Sequence, residues 1–282
     1  MPNNIENSLL KIGELPQLKI ISTENLIFHE EPDDDRLLRL VSRLGGDGVL
    51  KNPPIVATFD NNGKYAIIDG ANRVTALMKL GYKDLAVQIV NLHDPLLALY
   101  CWHHAVDRLG RDFFMGHISS MEKVSIRELE EDQKPLPGYL MHLIFRERKP
   151  IAIYKEGDIV SQVQTMNYIA DLYIHQPIFD RVSYINLENL RKHYPNFETL
   201  ITFREFTKDD FMRIIASGVK LPAGITRVFL PKRALGLNVP LEIMKSELTL
   251  SDKNRWLDQY ILHMVKNKTI RFYREPTFVF DE

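Results

Sequence analysis

Tyr65 to Ala76 read YAIIDGANRVTA, a short apolar run that ends in an acid, a glycine, a small residue, an amide and an arginine. After that run the pattern turns helical. A chain leaving a strand at Asp69 must turn sharply. Gly70 permits the turn and leaves room for a ligand to approach the backbone. A helix beginning near Asn72 has first amides with no partner inside the helix. Those amides and the helix dipole attract an anion. Arg73 adds a delocalised charge suited to phosphate oxygens. Asp69 stands at the C-terminal tip of the strand, where open sheets place their ligand groups. The corner reads as a phosphate site with an acid beside it. It reads equally as a well-capped helix in which Asp69 caps, Gly70 turns and Arg73 is solvated.

Other residues carry chemistry less directly. Glu30 lies in FHEE, just ahead of a run of acids, Glu31, Asp33, Asp34 and Asp35, that suit a solvated helix start. By residue type alone Glu30 is one of them. Trp102, His103 and His104 sit together in CWHH. A zinc site is rejected, because there is no HExxH, no cysteine pair and no third ligand at sensible spacing. Thr226 and Arg227 follow PAG, and a hydroxyl beside a guanidinium suits a carboxylate or a phosphate. Arg233, six residues on, is a second anion contact. Ser42, on the first helix, is within reach of a ligand on the corner or else a plain exposed residue.

The elements that must position these groups follow from periodicity. Residues 18–28 predict a strand and a turn. A helix follows, with Pro32 in its first turn, Asp33 to Asp35 at its positive end and Leu37, Leu38, Val41 and Leu44 at helical spacing. Gly45 and Gly46 are expected to stop it. PPIVATF and KYAIID predict a hairpin across DNNG, then a helix closed by Gly81 and a strand DLAVQIV. Beyond Asp94 the pattern changes. Residues 94–110 predict a helix, 118–134 a partly helical charged stretch, 142–157 a strand pair and 161–195 largely helix. An amphipathic helix is expected over 203–218, then a loop and strand, a last helix from about Asp252 to Val265, and a terminal strand in TIRFYREPTFVF. The expected fold class is α/β (α+β), with one domain over 1–95 and a second, mixed α/β domain over 96–282.

The chain has 282 residues, 45% of them hydrophobic and 26% charged, as in a globular protein. Its 36 basic residues against 37 acids leave a formal charge of -1. That balance counts against a dedicated nucleic-acid binder, which shows a basic excess. One cysteine, Cys101, precludes an intrachain disulfide. The N-terminus lacks a basic segment followed by an apolar core, and no apolar run approaches membrane-spanning length, so the expectation is a cytoplasmic protein without a membrane. No pattern encodes an oligomeric state.

IIDGANRVTALMKLGYKDLAVQIV, preceded by GVLKNPPIVAT, resembles the ParB/sulfiredoxin-like nucleotide-binding domain over about residues 18–92. That resemblance implies a corner holding nucleotide phosphates. Sulfiredoxins carry a catalytic cysteine where this chain has Ala71, so the sulfinic acid reductase branch lacks its nucleophile. Nothing after residue 95 resembles the helix-turn-helix of the partitioning branch. A third branch, the free L-serine kinases, matches further. FHEE precedes the first helix as the kinases' catalytic glutamate does, DGANR and CWHH follow, and LPAGITRVFLPKRALGLNVPLEIMK resembles a motif of their C-terminal portion. The resemblance implies Glu30 as general base, Asp69 beside it, and Ser42, Gly70, Ala71, Asn72 and Arg73 on the nucleotide. It implies Trp102, His104, Thr226, Arg227 and Arg233 on the substrate. One departure is Asn72, where the fold often has histidine; its amide keeps two donors for phosphate but no titration. The implied activity is phosphorylation of L-serine by ATP or ADP. Mg²⁺ would be carried on the phosphates, with Asp69 as the candidate carboxylate. The alternative is a ParB-like, nucleotide-dependent DNA-binding regulator.

Overall fold

The computed structural model describes residues 15–60, 62–130, 133–183 and 186–273. The chain opens with β1 (Gln17–Ser22), a single 3-10 turn and β2 (Leu26–Ile27). Next come α1 (Asp34–Asp47), β3 (Val49–Leu50), β4 (Ile55–Thr58), β5 (Tyr65–Asp69), α2 (Ala71–Lys79) and β6 (Asp84–Val90). Then follow β7 (Ala98–Cys101), β8 (His103–Asp107), α3 (Arg111–Ile118), β9 (Val124–Glu128), β10 (Tyr139–Phe145), β11 (Ile151–Lys155) and α4 (Ile159–Asp171). The remainder is β12 (Phe179–Val182), α5 (Leu187–His193), β13 (Phe197–Phe203), α6 (Lys208–Ser217), β14 (Thr226–Phe229), β15 (Val239–Pro240), α7 (Leu241–Lys245) and α8 (Leu250–Lys266).

The architecture is mixed α/β. The first sheet runs β1-β6-β4-β5-β2, with β4–β6 and β2–β5 parallel and its other pairs antiparallel. The second runs β12-β8-β13-β10-β11-β9, antiparallel throughout. Strand alternation sorts the first sheet's residues into two cores. Val56 and Ile67 face α1 and α2, where Leu37, Leu44, Val74 and Leu77 are buried. Ile55, Ala57, Ala66 and Ile68 face the other way, onto Phe211 and Ile215 of α6.

The two sheets part near residue 95, but the cores do not. Leu237, Val239, Leu241, Met244 and Leu257 return from the end of the chain to the first core. There Asn254 accepts from the Ile20 amide at 2.9 Å and donates to its carbonyl at 2.8 Å.

The corner, the hairpin, the strand pair of 142–157 and the helices at 208–217 and 250–266 fall where periodicity puts them. Other segments differ. Residues 94–110 form β7 and β8, not a helix. Short apolar runs satisfy either period, and here antiparallel partners, β14 for β7 and β12 and β13 for β8, decide. The 118–134 stretch contributes β9, not a helix, and 161–195 is interrupted by β12. Gly45 and Gly46 lie inside α1; the left-handed cap is Gly48, at φ 66°. Of the expected terminal strand, residues 269–273 carry none, and 274–280 lie outside the described residues. Among the described residues no helix is long and apolar enough to cross a membrane.

Candidate active site

Gly70 makes the corner at φ 91°, where a Cβ would meet the Arg73 guanidinium at 3.1 Å and the Pro54 backbone at 3.2 Å. No side chain caps α2. It shares this with α3 and α7, whereas the N-caps of α1, α4, α5, α6 and α8, Asp33, Asp158, Asn186, Thr207 and Thr249, each accept a backbone N–H. The first amides of α2 therefore stay open for an anion. The capped-helix reading of the corner fails here. Arg73 is aimed by two contacts: Nη1 donates to the Asn52 carbonyl at 2.7 Å, and Nη2 lies 3.6 Å from Asp69 Oδ2.

Arg233 also pairs with Asp69 Oδ2. It arrives on a loop held against the first sheet by the buried side chain of Gln88. Gln88 donates to the Lys232 carbonyl and accepts from the Ala234 amide, both at 2.8 Å. Burial pushes the Asp69 carboxyl upward, but the Arg73 and Arg233 charges outweigh it and hold Asp69 below the usual carboxylate range. Asp69 thus organises two cations beside the open end of α2.

Glu30 is brought over that corner by backbone pairing. The Glu31 amide donates to the Leu221 carbonyl at 2.9 Å, and the Leu221 amide donates to the His29 carbonyl at 2.8 Å. That bridge sets Glu30 beside the start of β14, where Thr226 Oγ1 stands 2.8 Å from Glu30 Oε2. Burial raises the Glu30 pKa from 4.5 to about 7. The Thr226 hydrogen bonds oppose the rise, the Asp69 charge adds to it and Arg181 opposes it. Its neighbour Asp33, expected as a solvated charge, ties three elements together. Its carboxylate caps α1 and pairs with Arg181 of β12 at 2.9 Å, while its amide donates to Asn72 Oδ1 at 2.8 Å.

These groups line one cavity of about 720 Å³. Glu30, Asp69, Gly70, Ala71, Asn72, Arg73, Trp102, Thr226 and Arg233, all read from the sequence, are brought together there. Three others are not. His104 is fully buried; its Nδ1 is 2.8 Å from the Tyr173 hydroxyl, and burial drives its pKa down to about 3. It is a core residue, on the strand face opposite His103. Arg227 is exposed and lies 4.5 Å above the Trp102 ring, because strand alternation sends it away from the side Thr226 occupies. Ser42 is exposed too, off the α1 stripe Arg36, Leu40, Arg43, Leu44 and Asp47 that walls the cavity.

Sequence reading missed that stripe, whose i, i+4, i+7, i+8, i+11 spacing was its signal. It also missed Arg181 and His29. Arg181 lines the cavity and packs so closely on Gly224 that a Cβ there would collide with its guanidinium. Among the described residues no group of three or more His, Cys, Asp or Glu is placed to hold a metal.

No family model matches the chain. It is 24% identical over 275 residues to the ATP-dependent L-serine kinase SbnI of Staphylococcus aureus, covering 94% of this chain and 97% of that protein. The ADP-dependent L-serine kinase SerK of Thermococcus kodakarensis is 22% identical over 242 residues, 81% of this chain and 95% of SerK. Over 87 residues, 31% of this chain and 34% of its relative, identity to an ATP-dependent L-serine kinase of Staphylothermus marinus reaches 32%. Among solved structures, C-terminally truncated SbnI superposes with a TM-score of 0.69 at 20% identity, over 87% of this chain and 96% of that one. A free serine kinase in complex with AMP gives 0.66 at 20% identity, over 82% and 94%. The resemblance to the free serine kinases thus runs nearly end to end, and the fold is theirs.

Proposed function

We propose that the protein phosphorylates free L-serine to O-phospho-L-serine, with ATP or ADP as donor. One observation carries this reading: a half-buried carboxylate, its proton affinity raised by desolvation, shares one cavity with an uncapped helix N-terminus and two arginines. Phosphoryl transfer asks for that combination of positioned phosphates, spread charge and a group to take the hydroxyl proton. The full-length likeness to ATP- and ADP-dependent serine kinases supports both donors. The DNA-binding alternative is not favoured: after residue 95 the chain builds an antiparallel sheet.

In this reading the α2 amides, Arg73 and Arg233 hold the phosphates of the nucleotide. The serine side chain points at Glu30 from between the corner and Thr226, with Trp102 as a wall. Among the arginines near Thr226 the one that lines the cavity is Arg181, not Arg227, so Arg181 is assigned to the substrate carboxylate. Glu30 takes the hydroxyl proton as the serine oxygen bonds to the terminal phosphorus. The bond from phosphorus to the bridging oxygen breaks in line, and the shortened nucleotide leaves. With Asp69 engaged by two arginines, the residues present fit Mg²⁺ carried on the phosphates rather than caged by protein. When bound, that ion would spread the charge that develops on the phosphoryl oxygens.

The test is incubation of the protein with L-serine, Mg²⁺ and either ATP or ADP, with mass spectrometric detection of O-phosphoserine. Product with one donor establishes the reaction and names the donor. No product with either donor overturns the reading.

A further inference from the structure

His29 is buried among β5, α6 and β14, and no part of the proposed chemistry has used it. Its ring lies 4.6 Å from the Phe211 ring of α6, centroid to centroid. Nδ1 is 2.5 Å from the Ile67 carbonyl oxygen. A carbonyl only accepts, so Nδ1 carries hydrogen. Nε2 is 2.8 Å from Thr226 Oγ1, and the same oxygen is 2.8 Å from Glu30 Oε2. Thr226 has one hydroxyl hydrogen and two neighbours that each want it; the hydroxyl's downward pull on Glu30 described above exists only where the carboxylate receives that hydrogen.

Two arrangements satisfy every atom. In one, Thr226 donates to Nε2 and a protonated Glu30 donates to Thr226. In the other, an imidazolium donates to Thr226, which donates to a Glu30 carboxylate. The second places a cation on a ring that is 1% exposed, and burial holds the His29 pKa down to about 4. The first therefore prevails. With Glu30 ionised and His29 neutral, one contact must set lone pair against lone pair.

We propose that His29 acts through Thr226 as the positioning residue of the base, claiming the hydroxyl hydrogen so that a proton gained by Glu30 completes the hydrogen-bond chain. The inference rests on Glu30 as base. It turns Thr226 from a plain substrate contact into the link between a buried imidazole and the reacting carboxyl. The other charges facing Glu30 are Asp69 at the end of β5, itself held by Arg73 and Arg233, and Arg181 of β12, itself held by Asp33. The variants below leave all of these in place.

The test is a carboxyl ¹³C titration of Glu30 in the full chain, the resonance being identified by its loss in Glu30→Gln. His29→Asn keeps an amide donor for the Ile67 carbonyl and deletes Nε2. Thr226 is then free to donate to the carboxylate, and the Glu30 midpoint falls by about one pH unit or more. His29→Gln restores an acceptor at the Nε2 position and leaves the midpoint within a few tenths of the parent. Thr226→Val gives a sign test that spares the buried ring. It lowers the midpoint, because the neutral carboxyl loses the oxygen it donates to; a hydroxyl that served only to donate to the carboxylate would raise it on removal. An unchanged midpoint in folded His29→Asn, or a rise in Thr226→Val, overturns the proposal. The acidic limb of kcat/KM should move with the titration. Absence of turnover in the parent would sink the kinase reading while the titration still decides the hydrogen-bond chain.

Discussion

Glu30 combines two properties that pull against each other. Its side chain is 16% exposed and its proton affinity is raised by burial, which suits a base and costs stability. The sign is explicit. A carboxyl whose pKa rises from 4.5 unfolded to about 7 folded contributes nothing adverse below pH 4.5 and destabilises progressively as pH rises toward 7. At pH 8 that penalty is on the order of 3 kcal/mol. Glu30→Gln is therefore expected to lose turnover by about 10²-fold or more, retain nucleotide binding and gain stability at pH 8 but not at pH 4. Denaturant unfolding at the two pH values, beside the kinase assay, checks it. His29 runs the other way: with its pKa lowered from 6.5 to about 4, its contribution is lost as pH falls through that window. Between about pH 4.5 and 6.5 the Glu30 and His29 slopes cancel each other, and the parent's stability rises with pH there through His104 and His142, whose pKa values burial also lowers. Glu30→Gln removes the one opposing slope and should steepen that rise by about one proton's worth; a slope unchanged from the parent contradicts the assigned shifts.

At the scale of elements, the corner works because strand β5, one glycine and helix α2 meet with no side chain over the helix end. Gly70→Ala puts a Cβ at a positive φ and against Arg73, so it should cost about 1–3 kcal/mol of stability. The larger effect falls on nucleotide KM, since Arg73 must move; an unchanged KM would show that the guanidinium has no part in phosphate binding. The loop of Arg233 is a separate support. Gln88→Leu removes both of its bonds to that loop while preserving buried volume. It should raise nucleotide KM several-fold, and a companion Arg233→Ala should add little to it, because both act through the same contact.

Across the whole molecule, the site is a seam. Asp69 ends β5 of the first sheet, Glu30 lies between β2 and α1, Trp102 joins β7 to β8, Arg181 is in β12 of the second sheet, Thr226 opens β14, and Arg233 stands on the loop that returns to the first core. The first core is closed by α7 and α8, so residues 1–95 expressed alone should show no cooperative unfolding transition, and Leu257→Ala should cost about 2–5 kcal/mol in the full chain. Calorimetry of both checks the division of the chain. A cooperative transition in the 1–95 fragment would mean that α8 is an accessory.

Much of this organisation is legible in the amino-acid sequence. The strand-glycine-helix corner, the hairpin, the amphipathic helices and the acid ahead of α1 follow from residues within a few positions of one another, because caps, turns and helical faces are set by near neighbours in the chain. Residues 98–107 are not legible in that way: a buried apolar run becomes strand or helix according to the partners it finds, and those are β12, β13 and β14. Nor does residue type separate Glu30 from the acids around it. Its proton affinity is set by desolvation acting against the hydrogen bonds of Thr226, 196 residues away, and only folding supplies either. His29 stands inside FHEE with nothing in its residue type to single it out, and Arg181 stands in no motif at all. The sequence by itself determined which side chains could bind phosphate and which could take a proton; the tertiary structure decided which of them share one cavity and in which protonation state, because burial and distance belong to the packed chain.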